Sequence, residues 1–238
     1  MSPAPPPSIE ARAAMTEGHS VEPVYRMAAR AIAARSQGGR LVDVGCGVSN
    51  FRRYLALTCY PYIGADVVRY PAFPPDAEFV PIDPRSGTVS LPDGAGDIVV
   101  CLETIEHVEN PRALFRELTR LTRPGGLIVV TTPNQLSLLS KLTLLVKHRF
   151  NAFQDGTGNA YPTHITALLE IDLIRIAREC GLEDPQILYS DDGRIPGTGR
   201  RWPAACRGRA FSDNIGISAI RPLGPSPREP SGAPSAAE

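Results

Sequence analysis

Apolar residues along this chain form two patterns, and the two alternate. The first is a short, nearly continuous run: Leu41–Val44, Tyr62–Asp66, Glu78–Asp83, Asp97–Leu102, Leu127–Thr132, Gln186–Tyr189 and Asn214–Ile220. Runs of this length predict strands, and Asp97–Leu102, apolar after its first residue, predicts one buried on both faces. Pro81 cannot donate to a ladder, so the third run belongs at an edge or a strand end. The second pattern repeats every three to four residues. In Pro23–Ala34, Val24, Met27, Ala28, Ala31 and Ile32 form one stripe behind a first-turn proline, and Gly38-Gly39 closes it. Asn110 caps and Pro111 opens a helix striped by Leu114, Phe115, Leu118 and Leu121, which stops at Pro124-Gly125-Gly126. Another runs from about Thr166 to Cys180, with Leu169, Leu173, Ile176, Ala177 and Cys180 inward and Gly181 as its stop. A shorter helix, capped by Ser49 or Asn50, extends to about Thr58 with Phe51 and Leu55 on one face.

Strands alternating with helices predict a parallel sheet covered on both faces. Only a Gly- and Arg-rich loop separates the last two strands, and a parallel crossover needs a helix, so these two pair antiparallel. The expected fold is α/β: a Rossmann-like three-layer sandwich around a mostly parallel, seven-stranded sheet with an antiparallel last strand. A length of 238 residues suits one core, placed at 21–221 between disordered tails at 1–20 (Pro-rich) and 222–238 (Pro/Ser/Ala-rich). At 42% apolar and 21% charged the chain reads as soluble, and its 25 basic residues match 25 acidic ones. No overall field therefore favours nucleic acid or an anionic membrane. The scattered Cys46, Cys59, Cys101, Cys180 and Cys206 make no Cys-x-x-Cys pair and read as reduced thiols of a cytoplasmic protein. No signal peptide or transmembrane segment is expected.

In open α/β sheets ligands sit at the C-terminal ends of the strands. That rim holds the turn Gly45-Cys46-Gly47, Asp66, Asp83 and the segment after Leu102. Glycine lets a backbone take positive φ and approach a ligand closely, and a helix after the turn would aim free N–H groups at it. A structural turn explains an isolated Gly-x-Gly equally well. The spacing adds more. Asp66 falls about 20 residues after the turn, where a carboxylate accepts from ribose hydroxyls. A nicotinamide fingerprint would place a third glycine at Asn50 and would not ask for Asp43 inside the first strand. A buried acid there is costly unless it holds the loop's N–H groups or meets a ligand ammonium. A ligand with a ribose, an adenine and an amino-acid ammonium is S-adenosylmethionine.

With these pieces in this order, the chain resembles the class I S-adenosylmethionine-dependent methyltransferases, in the broad group that includes the ubiquinone-pathway O-methyltransferases. The matching stretches are Val42-Asp43-Val44-Gly45-Cys46-Gly47, Asp66, Ile82-Asp83, Leu91-Pro92-Asp93-Gly94, Asp97 through Val108, and Arg123-Pro124-Gly125-Gly126-Leu127 leading to Thr131-Thr132-Pro133-Asn134. The resemblance is strong over 39–134 and looser over 163–182; Ser49, where the family usually has a third glycine, is a departure. It implies that Gly45, Cys46 and Gly47 approach the methionine portion and Asp43 its ammonium. Asp66, with its neighbour Val67, would serve the ribose, Ile82 and Asp83 the adenine, and Leu102 and Glu103 the cofactor's other side. Glu103-Thr104-Ile105-Glu106-His107 is the most loaded cluster. His107 is the candidate general base; Glu103, Glu106 and His107 with distant His164 are also competent to hold a divalent ion, resembling the magnesium-type site of some RNA 2′-O- and ubiquinone-pathway methyltransferases. A solvated first helical turn explains the same residues, and no metal is assigned.

Two segments concern the acceptor. Leu136–Val146 carries Leu138, Leu139, Leu142, Leu145 and Val146 at helical spacing and is too short to span a bilayer; it is expected to pack on the sheet or roof the acceptor pocket rather than attach to a membrane. With Phe150, Phe153 and Tyr161, and with Gly156 and Gly158 for movement, 135–165 is the expected substrate lid. The loop 191–213 holds Arg194, Arg200, Arg201, Arg207, Arg209 and Trp202, a candidate phosphate or carboxylate site or a solvated loop. The expected function is methyl transfer to a small-molecule or glycan/lipid-linked acceptor, at oxygen. A NAD-dependent oxidoreductase and a non-catalytic methyltransferase-like partner protein are the alternatives.

Overall fold

A computed structural model describes residues 8–14, 18–57, 59, 61–154 and 164–224. Helix α1 spans Ile9–Ala14 and α2 Glu22–Arg35; strand β1 is Leu41–Val44, β2 Tyr62–Asp66, β3 Glu78–Pro81 and β4 Gly96–Leu102. Helix α3 (Pro111–Leu121), β5 (Thr122–Pro133), α4 (Leu138–Lys147), α5 (Glu170–Glu179), β6 (Glu183–Tyr189) and β7 (Asn214–Ile220) complete the order. The sheet runs β3-β2-β1-β4-β5-β7-β6; β1 to β5 pair parallel, and β7 lies antiparallel between β5 and β6. The expected sheet is borne out, with the proline-bearing β3 at an edge.

Alternation along the strands assigns the layers. Leu41, Ile98, Val100, Leu127 and Val129 face α2, whereas Val42, Val99, Cys101, Ile128 and Val130 face α3 and α5. Asn110 accepts from the Ala113 N–H at 3.0 Å, so α3 starts where its cap and proline predict. Its Phe115, Leu118 and Leu121 have no exposure, which stabilises by roughly 1.5–3 kcal/mol per side chain. At the end of α5, Gly181 takes φ +72°, and the Leu182 N–H reaches the Ala177 carbonyl at 3.0 Å.

Several expectations are corrected. Part of the expected N-terminal tail is ordered: α1 forms, and the Tyr70 hydroxyl donates to the Ala13 carbonyl at 2.7 Å. The helix expected after the glycine turn is one 3-10 turn, Asn50–Tyr54, because Ser49 is left-handed (φ 60°) and Leu55 is already extended. Thr58 lies outside the described residues. Helix α5 begins four residues after Thr166, whose hydroxyl instead donates to the Val108 carbonyl at 2.8 Å. Helix α4 does not pack through its leucines; Ser140 is its one buried residue. Of the expected lid, Gly156, Gly158 and Tyr161 lie outside the described residues, as do 1–7 and 225–238 of the tails.

Candidate cofactor and acceptor site

The C-terminal ends of β1, β2, β3 and β4 open into one cavity of about 870 Å³. Asp43, Gly45, Cys46, Gly47, Asp66, Val67, Ile82, Asp83, Leu102, Glu103 and His107 all line it. Residues spread over 65 positions of sequence are brought together because four parallel strands end on one rim.

The glycine turn is built differently from its sequence reading. Gly45 (φ +77°) and Gly47 (φ +53°) are left-handed, as expected, but a Cβ on Gly45 would sit 2.1 Å from Thr104 Oγ1 and one on Gly47 2.1 Å from the Gly18 carbonyl oxygen. Protein, not ligand, occupies the space a side chain would fill. The N–H groups are also taken: Gly45 and Cys46 donate to the Ala65 carbonyl at 2.8 and 3.1 Å, Gly47 to Asp66 Oδ2 at 2.9 Å, and Val48 to the Gly18 carbonyl at 3.2 Å. No ready anion nest exists here; the loop is a rigid wall pinned by β2 and the N-terminal segment. Gly45→Ala is expected to cost ~2–4 kcal/mol in chemical denaturation, from left-handed backbone plus overlap. Adding Thr104→Ala should recover part of that loss; full independence of the two changes would contradict the contact.

Asp66 is the hub of the turn. Its Oδ2 holds Gly47, its Oδ1 accepts from Val67 at 2.7 Å, and burial still raises its pKa despite these hydrogen bonds. Asp43 is buried on the α2 face and accepts from the Tyr62 hydroxyl at 2.7 Å; that hydroxyl also lies 3.1 Å from Ser49 Oγ. Burial pushes Asp43 up to about 7, with the Asp66 charge adding to it. A raised carboxyl pKa stabilises the fold below the unfolded value and loses that contribution as pH rises to about 7. Asp43→Asn keeps an acceptor for Tyr62 without the charge. In cofactor-free protein its melting temperature should exceed that of wild type above pH 7, the gap closing towards about pH 4; a constant gap would mean that ionising Asp43 costs nothing. Asp83 is exposed, and the Arg85 N–H and Ser86 hydroxyl hold its carboxylate low at 2.9 and 2.8 Å.

Just past β4, Glu103 is left-handed (φ 51°) and accepts from Asn214 Nδ2 at 2.6 Å. Burial pushes it up to about 7. Glu103, Glu106 and His107 stand at i, i+3 and i+4 but share no helical face, because Ile105–His107 form only a short 3-10 turn and Glu103 points to Asn214. Glu106, His107 and His164 do meet, their ligand-type atoms within 4.8 Å of one another. Glu106 is fully buried, neither carboxyl oxygen has a hydrogen-bond partner, and burial with repulsion from Glu103 raises its pKa well above the usual range. The His107 and His164 rings lie 4.7 Å apart edge to face; His164 Nδ1 is 2.8 Å from the Ala152 carbonyl, and burial lowers its pKa.

The arginines of 191–213 are largely engaged within the protein. Arg194 pairs with Asp213 and Arg209 with Glu170, each at 2.6 Å, Arg207 lies 3.4 Å from Asp191, and Arg201 donates to the Asp192 carbonyl. Arg26 and Arg30 of α2 reach Asp192 and Asp191 and tie the loop to the body. Arg194 and Arg201 nonetheless line the cavity rim. The sequence reading missed Tyr62, Asn214 and the Gly18-His19 segment, where Asn50 Nδ2 meets His19 Nδ1 at 2.9 Å. Tyr62 was detectable in principle: the parallel register places it opposite Leu41, on the face of Asp43.

Three buried carboxyls, Asp43, Asp66 and Glu106, and the half-buried Glu103 line this cavity, and a bound cation such as a sulfonium would favour their ionised forms. A family profile described as "Methyltransferase domain" matches residues 20–186. A ubiquinone biosynthesis O-methyltransferase of Chromobacterium violaceum is 29% identical over 61% of this chain and 65% of its own length. A probable S-adenosylmethionine-dependent methyltransferase of Mycolicibacterium smegmatis is 30% identical over 44% of this chain and 42% of its own. Both alignments thus span less than two thirds of the relative. A crystal structure of a SAM-dependent methyltransferase from Archaeoglobus fulgidus superposes with a TM-score of 0.60 at 19% identity, covering 90% of this chain and 100% of that one, and shares the fold. The nicotinamide alternative gives way to these matches. The chain belongs to the methyltransferase-domain family whose cofactor is S-adenosylmethionine.

Proposed function

We propose that the chain transfers the methyl group of S-adenosylmethionine to a hydroxyl oxygen of a small-molecule or glycan/lipid-linked acceptor, with His107 receiving the hydroxyl proton. The observation that carries this reading is the cluster beside Glu103: a fully buried Glu106 whose oxygens make no hydrogen bond, with Oε1 3.9 Å from His164 Nε2 and His107 beside them. Such a carboxyl costs several kcal/mol and serves no packing need that an apolar residue would not meet. The O-methyltransferase name of the Chromobacterium violaceum relative supports oxygen as the accepting atom. The cofactor supplies an activated sulfonium methyl, so the residues mainly align groups and handle one proton. When the bound cofactor gave its methyl to the acceptor oxygen, the C–S electron pair would stay on sulfur and His107 would take up the hydroxyl proton. In this reading Asp66 and Val67 hold the ribose, Ile82 and Asp83 the adenine, Gly45, Cys46, Gly47 and Asp43 the methionine end, and Leu102 and Glu103 the far side.

The compactness of the same cluster favours a second reading. Two imidazole nitrogens and a carboxylate suit a divalent cation, which would bind the acceptor oxygen and lower its pKa. Incubating the chain with labelled S-adenosylmethionine and a cell extract, with and without chelator, tests both. A labelled ether product formed at a rate within about twofold in chelator supports the base. Loss of labelling that magnesium restores supports the cation. Cofactor binding with no labelled product would mark a non-catalytic partner protein.

A further inference from the structure

Helix α4 is inverted. Its buried position is a serine, Ser140, whose hydroxyl accepts from the Asn151 N–H at 3.2 Å, and Thr143 turns back to donate to the Leu139 carbonyl at 2.7 Å. Leu138, Leu142, Leu145 and Val146, at i, i+4, i+7 and i+8, share one outward stripe, with Leu145 75% and Val146 72% exposed. A stripe of this kind normally faces a core, and a contiguous exposed one marks a surface that something covers.

The charge around the stripe says what covers it. Of 25 basic residues only two are lysines, Lys141 and Lys147, and both lie on α4; Arg149 follows, and 135–154 contain no Asp or Glu. Lysine suits this place because its apolar stem runs along buried surface while its ammonium reaches a wet, charged boundary. A second copy would set like charges against each other across a two-fold axis. Ten residues measure about 15 Å, half a hydrocarbon core, and among the described residues no helix is long and apolar enough to cross a membrane. The element suits the plane of an interface.

We propose that α4 docks the chain onto an anionic lipid surface, with the stripe at the acyl boundary, Lys141 beside it on the headgroups and the exposed Lys147 reaching them from the helix end. Ser137 and Ser140 of the same segment line the cavity, so docking brings the acceptor entrance to the surface. The inference does not depend on which atom is methylated.

Co-sedimentation of the full chain with phosphatidylcholine vesicles, with and without phosphatidylglycerol, tests it. Wild type should pellet with the mixed vesicles only, and less so as salt rises. Lys141→Glu/Lys147→Glu and, separately, Leu145→Ser/Val146→Ser should each lower the partition at least ~tenfold. Both variants should keep the wild-type melting temperature and S-adenosylhomocysteine affinity, which separates lost docking from lost folding or cofactor binding. Wild type staying in the supernatant with both vesicles overturns the proposal, as does undiminished binding by folded variants. A concentration-dependent dimer in sedimentation velocity that Leu145→Ser/Val146→Ser abolishes would assign the stripe to a second copy instead.

Discussion

Replacing Asp66 with alanine is expected to raise the dissociation constant for S-adenosylhomocysteine at least ~tenfold, since charged hydrogen bonds contribute about 1.5–3 kcal/mol each. The structure adds a second consequence. Asp66 is the acceptor for the Gly47 and Val67 N–H groups, so alanine leaves buried donors at the turn unsatisfied as well as removing the expected ribose contact. Stability should therefore fall by ~1–3 kcal/mol, and the loop facing the methionine end should loosen. Asp66→Asn retains one acceptor oxygen and should fall between wild type and alanine in both measurements. Titration calorimetry reads the affinity and thermal denaturation the stability. An unchanged dissociation constant in a folded Asp66→Ala protein would remove Asp66 from the cofactor site and leave it a purely structural clamp.

Replacing His107 with alanine is expected to lower turnover by ~10²–10⁴ if the imidazole receives the acceptor proton. His107 lies edge-on to His164 and close to Glu106, whereas Asp43 and Asp66 lie at the ends of β1 and β2. The affinity for S-adenosylhomocysteine should thus stay within about twofold, which separates a chemical role from a collapsed pocket. Full activity in His107→Ala would return this turn to a structural role. The measurement is single-turnover methyl transfer alongside calorimetry.

The layered sheet was legible because both of its periodicities are local: continuous apolar runs for the parallel strands and i, i+3, i+4 stripes for α2, α3 and α5. Caps were legible for the same reason, as Asn110 shows, since the cap bond closes within three residues. Where local pattern misled, tertiary contacts had won. Ser49 and Asn50 look like a cap, yet Ser49 is left-handed, and its hydroxyl sits beside Tyr62 rather than over a helix end. Glu103, Glu106 and His107 have helical spacing, yet Asn214 draws Glu103 away while His164 arrives from 57 residues later to complete the cluster. The leucines of α4 have a core period and face outward, because the pocket wall beneath them needs Ser140 to meet the backbone of Asn151.

By itself, the amino-acid sequence determined which side of the sheet would hold the site and which acids and glycines would gather there, because strand direction and chain order dictate where the C-terminal ends fall. Only the tertiary structure decided what those residues do before any ligand arrives. Gly45 and Gly47 are glycines because Thr104 and the Gly18 carbonyl occupy the space of a side chain, and the turn's N–H groups serve Ala65, Asp66 and Gly18. The physical reason is range: a φ preference or a helical stripe is set by a few neighbouring residues, whereas burial, orphaned carboxyl oxygens and raised pKa values depend on groups distant in sequence that meet only when the chain is packed.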